Sequence, residues 1–185
     1  VVLAWCFMAG QRVFMSGVGG ELGTQVANLL EEEPWVKSLS GIDADPPRSR
    51  LKRTAFHRIH PHEHDRIVET VMDFDPHVLV HVGVWEPDAR ANPTLAAQLT
   101  DNAAISILGA AAECRSLEHV ILRSGIEVYG AGPGTLTRPD EFAPIRPTSE
   151  WGHTVADIER TAASVAERVG VTVGAASFAP SIVYV

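Results

Sequence analysis

An almost unbroken apolar run, HVLVHVGV at residues 77–84, constrains the fold of this chain more than any other feature. Such a run is typical of a strand that is buried on both faces, which occurs in parallel sheets covered by helices on each side. Parallel strands also need long crossover connections, and these connections are usually helices. The run therefore predicts an α/β protein in which strands and helices alternate along the chain.

Short β-rich runs and helical stretches do alternate about six times. The predicted strands cover residues 12–17, 35–43, 54–59, 77–84, 119–125 and 171–177. The predicted helices cover residues 21–33, 63–74, 93–114 and 150–169. In the first helix, one apolar stripe is predicted to contain Leu22, Val26, Leu29 and Leu30. This order predicts a Rossmann-like doubly wound parallel sheet of about six strands, with helices on both faces.

Composition limits the class of partner. The chain has 185 residues, which suits one domain, and its net charge of −8 argues against nucleic acid or an anionic membrane as a partner. The two cysteines, Cys6 and Cys114, are far apart, so we expect no disulfide and a reducing, cytoplasmic location. Residues 1–9 are treated as an N-terminal tail outside the domain.

The first predicted strand runs directly into a glycine-rich turn, SGVGGELG, and then into a helix. Gly17, Gly20 and Gly23 recur at every third position of this turn. One glycine permits a positive φ, a second lets the backbone approach a pyrophosphate, and a third brings helix and strand together. An anion in the turn would face the free N–H groups of the helix N-terminus. Strand, turn and helix in this order predict a dinucleotide site.

Asp43 ends the second predicted strand, 20 residues after Gly23. A carboxylate there can accept hydrogen bonds from both hydroxyls of an adenine ribose, and it would repel a 2′-phosphate. Asp43 therefore favours NAD over NADP. The basic segment RSRLKR, residues 48–53, leaves NADP open because its side chains could hold a 2′-phosphate, although basic runs are more often solvated loops.

These landmarks resemble the extended short-chain dehydrogenase/reductases, the NAD-dependent sugar-nucleotide epimerase/dehydratase family. SGVGGELG is similar to the family motif TGxxGxxG, with Ser16 at the threonine position. VLVHVGV resembles the fourth strand of the family with its histidine, here His81. VILRSGIEVYG resembles the fifth strand with its V-Y-G turn, and Asn102 matches an asparagine of the central helix. The resemblance covers residues 11–185.

The resemblance implies a UDP-glucose 4-epimerase-like, NAD(P)-binding domain at residues 10–185, without the C-terminal substrate region of the family. It implies that the pyrophosphate lies against the backbone of Glu21 and Leu22, and that the ribose binds Asp43. The implied cofactor-binding residues are Gly17, Gly20, Glu21, Leu22, Gly23 and Asp43. A nucleotide-sugar ligand and a homodimer through the central helices are also implied.

The sequence departs from the family where hydride chemistry takes place. In active members, a Ser or Thr follows the fifth strand, and a Tyr-x-x-x-Lys motif lies on the next helix. The matching positions here hold Gly125, Trp151 and Val155. Tryptophan cannot act as a base and valine carries no titratable proton, so we expect weak or no standard hydride transfer. Ser124, beside Gly125, is expected to point to the other side of the strand. The catalytic residues are therefore unknown.

Trp151 also has a purely structural interpretation. It begins an apolar stripe at helical spacing that consists of Trp151, Val155, Ile158, Ala162, Val165 and Val169. Tyr129 could replace the missing acid, but the V-Y-G resemblance favours a structural tyrosine under the turn. Two alternatives to a weak enzyme therefore stay open. One is a non-catalytic nucleotide-binding or regulatory module, and the other is a decayed fragment of such an enzyme.

The segment FHRIHPHEHD concentrates four histidines, His57, His60, His62 and His64. Imidazole nitrogens at this spacing could bind zinc or nickel, but no HExxH motif or cysteine pair completes a site. We therefore predict no metal site and interpret the segment as an exposed polar turn. His60 also falls where the resembled family has an acidic residue that approaches the adenine.

Overall fold

The computed structural model describes residues 10–84, 92–132, 134, 139–140 and 142–178, so the predicted tail at residues 1–9 lies outside the described part. Six strands form one parallel sheet with the order β3-β2-β1-β4-β5-β6. The strands are β1 (Gln11–Ser16), β2 (Val36–Asp43), β3 (Thr54–Arg58), β4 (Val78–His81), β5 (His119–Gly125) and β6 (Thr172–Phe178). The predicted Rossmann-like sheet is therefore confirmed.

Among the residues that the structure describes, four α-helices accompany these strands. They are α1 (Glu21–Glu32), α2 (His64–Phe74), α3 (Pro93–Ala112) and α4 (Glu150–Val169), and a short 3₁₀ helix, Ile126–Tyr129, follows β5. Ser149 caps α4 by accepting a hydrogen bond from Gly152 N at 3.0 Å, and Gly170 ends that helix with a φ of +75°. The predicted bounds of α4 are confirmed without change.

Both faces of the sheet are covered. Side chains of alternate residues in β1 point to opposite faces. Phe14 packs on one face with residues of α2, α3 and α4, whereas Val13 and Met15 pack on the other face with Ala27 of α1. All four of these side chains are fully buried. Two apolar layers thus hold the sheet in place, and its functional edge is formed by loops at the strand ends.

The predicted stripe of α1 is wrong for Leu29, which is 66% exposed. The fully buried residues of α1 are Gly23, Thr24, Ala27 and Glu31, and Val26 and Leu30 of the predicted stripe pack half-buried against the core. Small residues face the sheet because α1 lies very close to the glycine turn, and a Cβ on Gly23 would overlap the carbonyl of Gly17. Close approach of the helix and apolar packing together determine which face is buried.

In the described part of the chain, no helix combines the length and the apolar character that crossing a membrane requires.

Candidate functional site

A crevice opens at the carboxyl ends of the strands, where β1 lies between β2 and β4. The chain order reverses at this point of the sheet, and such switch points are where open α/β sheets bind ligands. The crevice is lined by Ser16, Gly17, Ile42, Asp43, Ile59, Pro61, Ile67, Gly83, Ala103 and Ile107. The lining is apolar except near Asp43 and Ser16.

The backbone geometry of the turn requires three of its glycines, and at one of them, Gly19, a Cβ would lie 2.2 Å from the backbone oxygen of Asp45. Gly17 has a φ of +82°, and a Cβ there would overlap the backbone of Gly83. Gly23 allows α1 to pack on the turn, as described above. These three glycines therefore have a structural role that is independent of any ligand.

Gly20 is different, because nothing in the described part of the protein requires a glycine there. It is the N-cap of α1, with a φ of −71° and a ψ of 164°, and a Cβ would meet only the Gly17 carbonyl oxygen, at an ordinary 3.6 Å. No described side chain caps the helix, so the first-turn N–H groups of Glu21 and Leu22 lack a capping partner in this part of the chain. The missing side chain leaves room for an anionic group to reach these donors.

Asp43 joins the end of β2 to the turn. Its carboxylate accepts hydrogen bonds from Gly19 N at 2.8 Å and from Asp45 N at 3.0 Å. Burial raises the pKa of the Asp43 carboxyl, and the two backbone hydrogen bonds oppose this rise without cancelling it. Each carboxylate oxygen retains a lone pair, so the group can accept two more hydrogen bonds from a diol.

The basic segment after β2 is partly structural. Arg53 donates hydrogen bonds to Glu31 O at 2.5 Å and to Val36 O at 2.7 Å. The buried carboxylate of Glu31 accepts hydrogen bonds from Lys52 N, Arg53 N, Thr54 N and Thr54 Oγ1. Burial raises the pKa of Glu31, but these hydrogen bonds outweigh it and lower the pKa overall. The guanidinium of Arg53 is therefore used within the fold.

His81 and Ser16 form a buried pair below the crevice. The Ser16 Oγ and His81 Nδ1 atoms are 2.5 Å apart, and His81 is fully buried. Burial lowers the pKa of His81 to about 4, so the ring is neutral near pH 7. Its Nε2 atom has no hydrogen-bond partner among the described residues. The pair holds the end of β1 against the end of β4.

The positions that carry hydride chemistry in the resembled family lie around the 3₁₀ helix. Val155 is buried and Trp151 is half-buried, and both pack in one apolar cluster with Val128, Tyr129 and Ala156. The structural interpretation of Trp151 is therefore confirmed. Ser124 is buried on the far side of β5, where its hydroxyl donates to the Glu159 carboxylate on α4. His153 is exposed, so Ser124 and His153 form no nucleophilic pair.

The sequence did not indicate a role for Glu127. This half-buried residue of the 3₁₀ helix turns its carboxylate back toward Gly125, into the space that a Cβ on Gly125 would occupy. The only available signal was the presence of an acidic residue two positions after the glycine.

The histidine-rich segment is spread over two environments. The rings of His60 and His62 contact each other in a tilted arrangement with centroids 4.2 Å apart, whereas His64 Nδ1 lies 2.9 Å from the hydroxyl of Ser106 on α3. Asn102 lies on the wall of an open cleft near His62 and His64. Within the described ranges, no three histidine, cysteine or acidic side chains come together as a metal site.

Sheet order, glycine turn and terminal carboxylate together define a Rossmann-like domain of the dinucleotide-binding class. A comparison with family models identifies residues 13–181 as the NAD dependent epimerase/dehydratase family. The chain belongs to this family. A search of curated proteins found no match.

Solved structures with this fold include UDP-glucose 4-epimerase from Brucella ovis in complex with NAD, at 20% identity and a TM-score of 0.76, covering 90% of this chain and 51% of the other. The Thermotoga maritima UDP-glucose 4-epimerase with UDP-glucose matches at 16% sequence identity and a TM-score of 0.76. The match covers 89% of this chain and 54% of the other. The Bacillus cereus UDP-glucuronic acid 4-epimerase with UDP-glucuronic acid and NAD matches at 18% sequence identity and a TM-score of 0.71. The match covers 89% of this chain and 55% of the other. The chain thus spans about half the length of these structures.

Proposed function

We propose that residues 10–185 form an NAD-binding domain whose standard hydride transfer is very slow. The observation that carries the proposal is Gly20, a glycine that the fold itself does not require, beside uncapped helix donors at the switch point of the sheet. In this proposal the pyrophosphate lies against Gly17, Gly20 and the N–H groups of Glu21 and Leu22. Gly23 brings α1 close, and the adenine ribose binds Asp43.

The electrostatics of the crevice support NAD rather than NADP. A 2′-phosphate would lie beside the Asp43 carboxylate, which two backbone hydrogen bonds hold in position. Arg53, one of the cations that could offset this repulsion, already donates to two backbone carbonyls. The NAD complexes of family structures agree with this preference.

The proposed rate of hydride transfer is limited by the lack of an acid or base at the positions matched to the Tyr-x-x-x-Lys motif. The bound nicotinamide would supply hydride acceptance, but a positioned acid or base typically contributes about 10²–10⁴ in rate. Trp151 and Val155 are packed in an apolar cluster and supply no such group. We therefore propose very slow turnover of nucleotide-sugars such as UDP-glucose, which occurs as a ligand among the matched structures.

The decisive experiment is calorimetric titration of the protein with NAD and with NADP. The sharpest variant is Gly20→Ser, because serine is a good N-cap and its Cβ has room in the free protein. We expect unchanged thermal stability but at least about tenfold weaker NAD binding. Gly109→Ala, at an exposed helix position with open space, is the control and should leave NAD affinity unchanged. Well-folded wild-type protein that binds neither nucleotide would refute the proposal.

The apolar cluster around Trp151 favours a second candidate, a non-catalytic module that binds NAD and signals its presence through a partner. This candidate predicts NAD binding with no turnover at all. Chromatography of UDP-glucose after prolonged incubation with the NAD-loaded protein separates the two, because epimerisation returns the hydride to the sugar and leaves no net reduced nicotinamide. Slow formation of a 4-epimer supports the weak enzyme, and none supports the module.

We also propose a homodimer through the outer face of α3. Ile105 lies on this face and is 62% exposed, whereas the apolar stripe of α4 is used inside the chain. Light scattering should give a dimer for the wild type and a monomer for Ile105→Glu, and a monomeric wild type at high concentration would contradict the dimer.

A further inference from the structure

Gly125 leaves a space beside the end of β5 that another side chain fills. A Cβ built on Gly125 would overlap the Oε2 atom of Glu127, and it would lie 3.4 Å from the Cδ atom. A serine or threonine at position 125 would project its side chain into the same volume. The carboxylate of Glu127 therefore fills the volume that a side chain at position 125, the position matched to the Ser/Thr of the resembled family, would enter.

The backbone that carries this carboxylate is firmly held. Glu127 O accepts a hydrogen bond from Gly130 N at 3.0 Å, and Val128 O accepts one from Arg146 N at 2.8 Å. The first turn of α4 also rests on this segment, because a Cβ on Gly152 would lie 2.6 Å from Glu127 O. The position of the carboxylate is thus determined by a rigid 3₁₀ helix, rather than by a free loop.

The carboxylate itself is available to a ligand. Glu127 is half-buried, and no described side chain donates a hydrogen bond to its carboxylate. It lies at the carboxyl end of β5, the edge of the sheet at which open α/β folds bind ligands. A second carboxylate, Glu159, lies behind the strand and is bound by Ser124, so it adds negative charge to this region.

We propose that Glu127 replaces the missing Ser/Thr side chain as the group that binds a sugar hydroxyl, and that it makes the site selective for neutral hexoses over uronic acids. This inference rests on the proposed nucleotide-sugar function. A carboxylate accepts hydrogen bonds from hydroxyls strongly, because the acceptor is charged. The carboxylate of a uronic acid would instead meet a like charge at this half-buried residue. Nucleotide-sugars of both kinds occur as ligands among the matched structures.

The test compares UDP-glucose with UDP-glucuronic acid by calorimetry on the full, NAD-saturated chain. We expect the wild type to bind UDP-glucuronic acid at least about tenfold more weakly than UDP-glucose. Glu127→Gln should reduce this ratio to about threefold or less, mainly by strengthening UDP-glucuronic acid binding. Glu167→Gln, an exposed change of equal charge on α4, should leave the ratio unchanged. NAD affinity should be the same in all three proteins.

A second variant separates the effect of where the Glu127 carboxylate lies from the effect of its negative charge. Gly125→Ala keeps the negative charge but forces the carboxylate away, because the new Cβ takes its place. We expect this variant to lose most of the discrimination and some UDP-glucose affinity while retaining NAD binding. A ratio that is equal in the wild type and Glu127→Gln would overturn the inference. So would a wild type that binds NAD but neither sugar nucleotide. Failure to bind NAD, by contrast, would refute the proposed function itself.

Discussion

Replacing Asp43 with asparagine tests whether the two carboxylate oxygens of Asp43 bind the ribose of the cofactor. The asparagine side chain is nearly the same size as that of aspartate, but only one of its two terminal atoms accepts hydrogen bonds. In the wild type, both carboxylate oxygens already accept a backbone N–H, from Gly19 and from Asp45. In either orientation, the NH2 of the amide therefore faces one of these N–H donors and cannot accept the ribose hydroxyl on that side.

The expected loss follows from the number of hydrogen bonds affected. Hydrogen bonds to a charged group contribute about 1.5–3 kcal/mol each. Losing one such bond to the ribose and weakening a second gives about 2–4 kcal/mol, or about 30- to 1000-fold in the Kd for NAD. Because the repulsion of a 2′-phosphate also disappears, NADP affinity should fall less than NAD affinity, and the ratio between the two cofactors should shrink.

The assay is calorimetric titration with NAD and NADP, with thermal melts to establish that each protein is folded. Asp45→Asn is the control, since Asp45 contributes its backbone N–H to this contact rather than its side chain. It should bind NAD within about threefold of the wild type, equivalent to about 0.7 kcal/mol. A folded Asp43→Asn protein that also binds NAD within that range would refute the ribose-binding role of Asp43.

Four further outcomes are expected. Burial raises the pKa of Asp43, and the ribose needs the ionised form of this carboxyl. In titrations at several pH values, the Kd for NAD of the wild type should therefore rise about tenfold per pH unit below that pKa. The Kd of Asp43→Asn should not show this rise. Gly23→Ala should cost about 3 kcal/mol in urea unfolding, since its Cβ would overlap a backbone carbonyl. Val155→Lys, which places an ammonium in an apolar cluster, should lower the Tm by about 6–12 °C, for a cost of about 3 kcal/mol. Glu31→Gln should cost about 2 kcal/mol at neutral pH, and exposed Glu32→Gln almost nothing. The Glu31 difference should shrink on acidification, because a lowered carboxyl pKa stabilises the fold only above it.

The parts of the fold that the sequence predicts are those with local causes. The apolar run that contains β4, the capping serine of α4 and the spacing of Gly17, Gly20 and Gly23 all act within a few residues of the chain. Hydrophobic periodicity and turn chemistry report such effects directly. The position of Asp43 is also predictable, because the end of a strand next to a glycine turn places its side chain at the crevice.

The features that the sequence does not predict depend on contacts between distant segments. Leu29 is exposed because α1 turns its small residues toward the sheet. Glu31 is buried because the segment before β3 returns to bind it, 21 to 23 residues later. Glu127 reaches Gly125 only through the direction of its side chain on the 3₁₀ helix, which residue spacing does not encode.

The packing of Val155 restricts how this sequence could acquire the Tyr-x-x-x-Lys arrangement one substitution at a time. The substitution Val155→Lys, made alone, places a charged side chain among Val128, Ala156 and Trp151 without a partner for its charge. Each such intermediate would be less stable than its parent and no more active. Enlarging a small neighbour of the cluster or admitting water to it would have to come first. The apolar cluster thus disfavours the single substitutions that lead from this sequence to one with the Tyr-x-x-x-Lys motif.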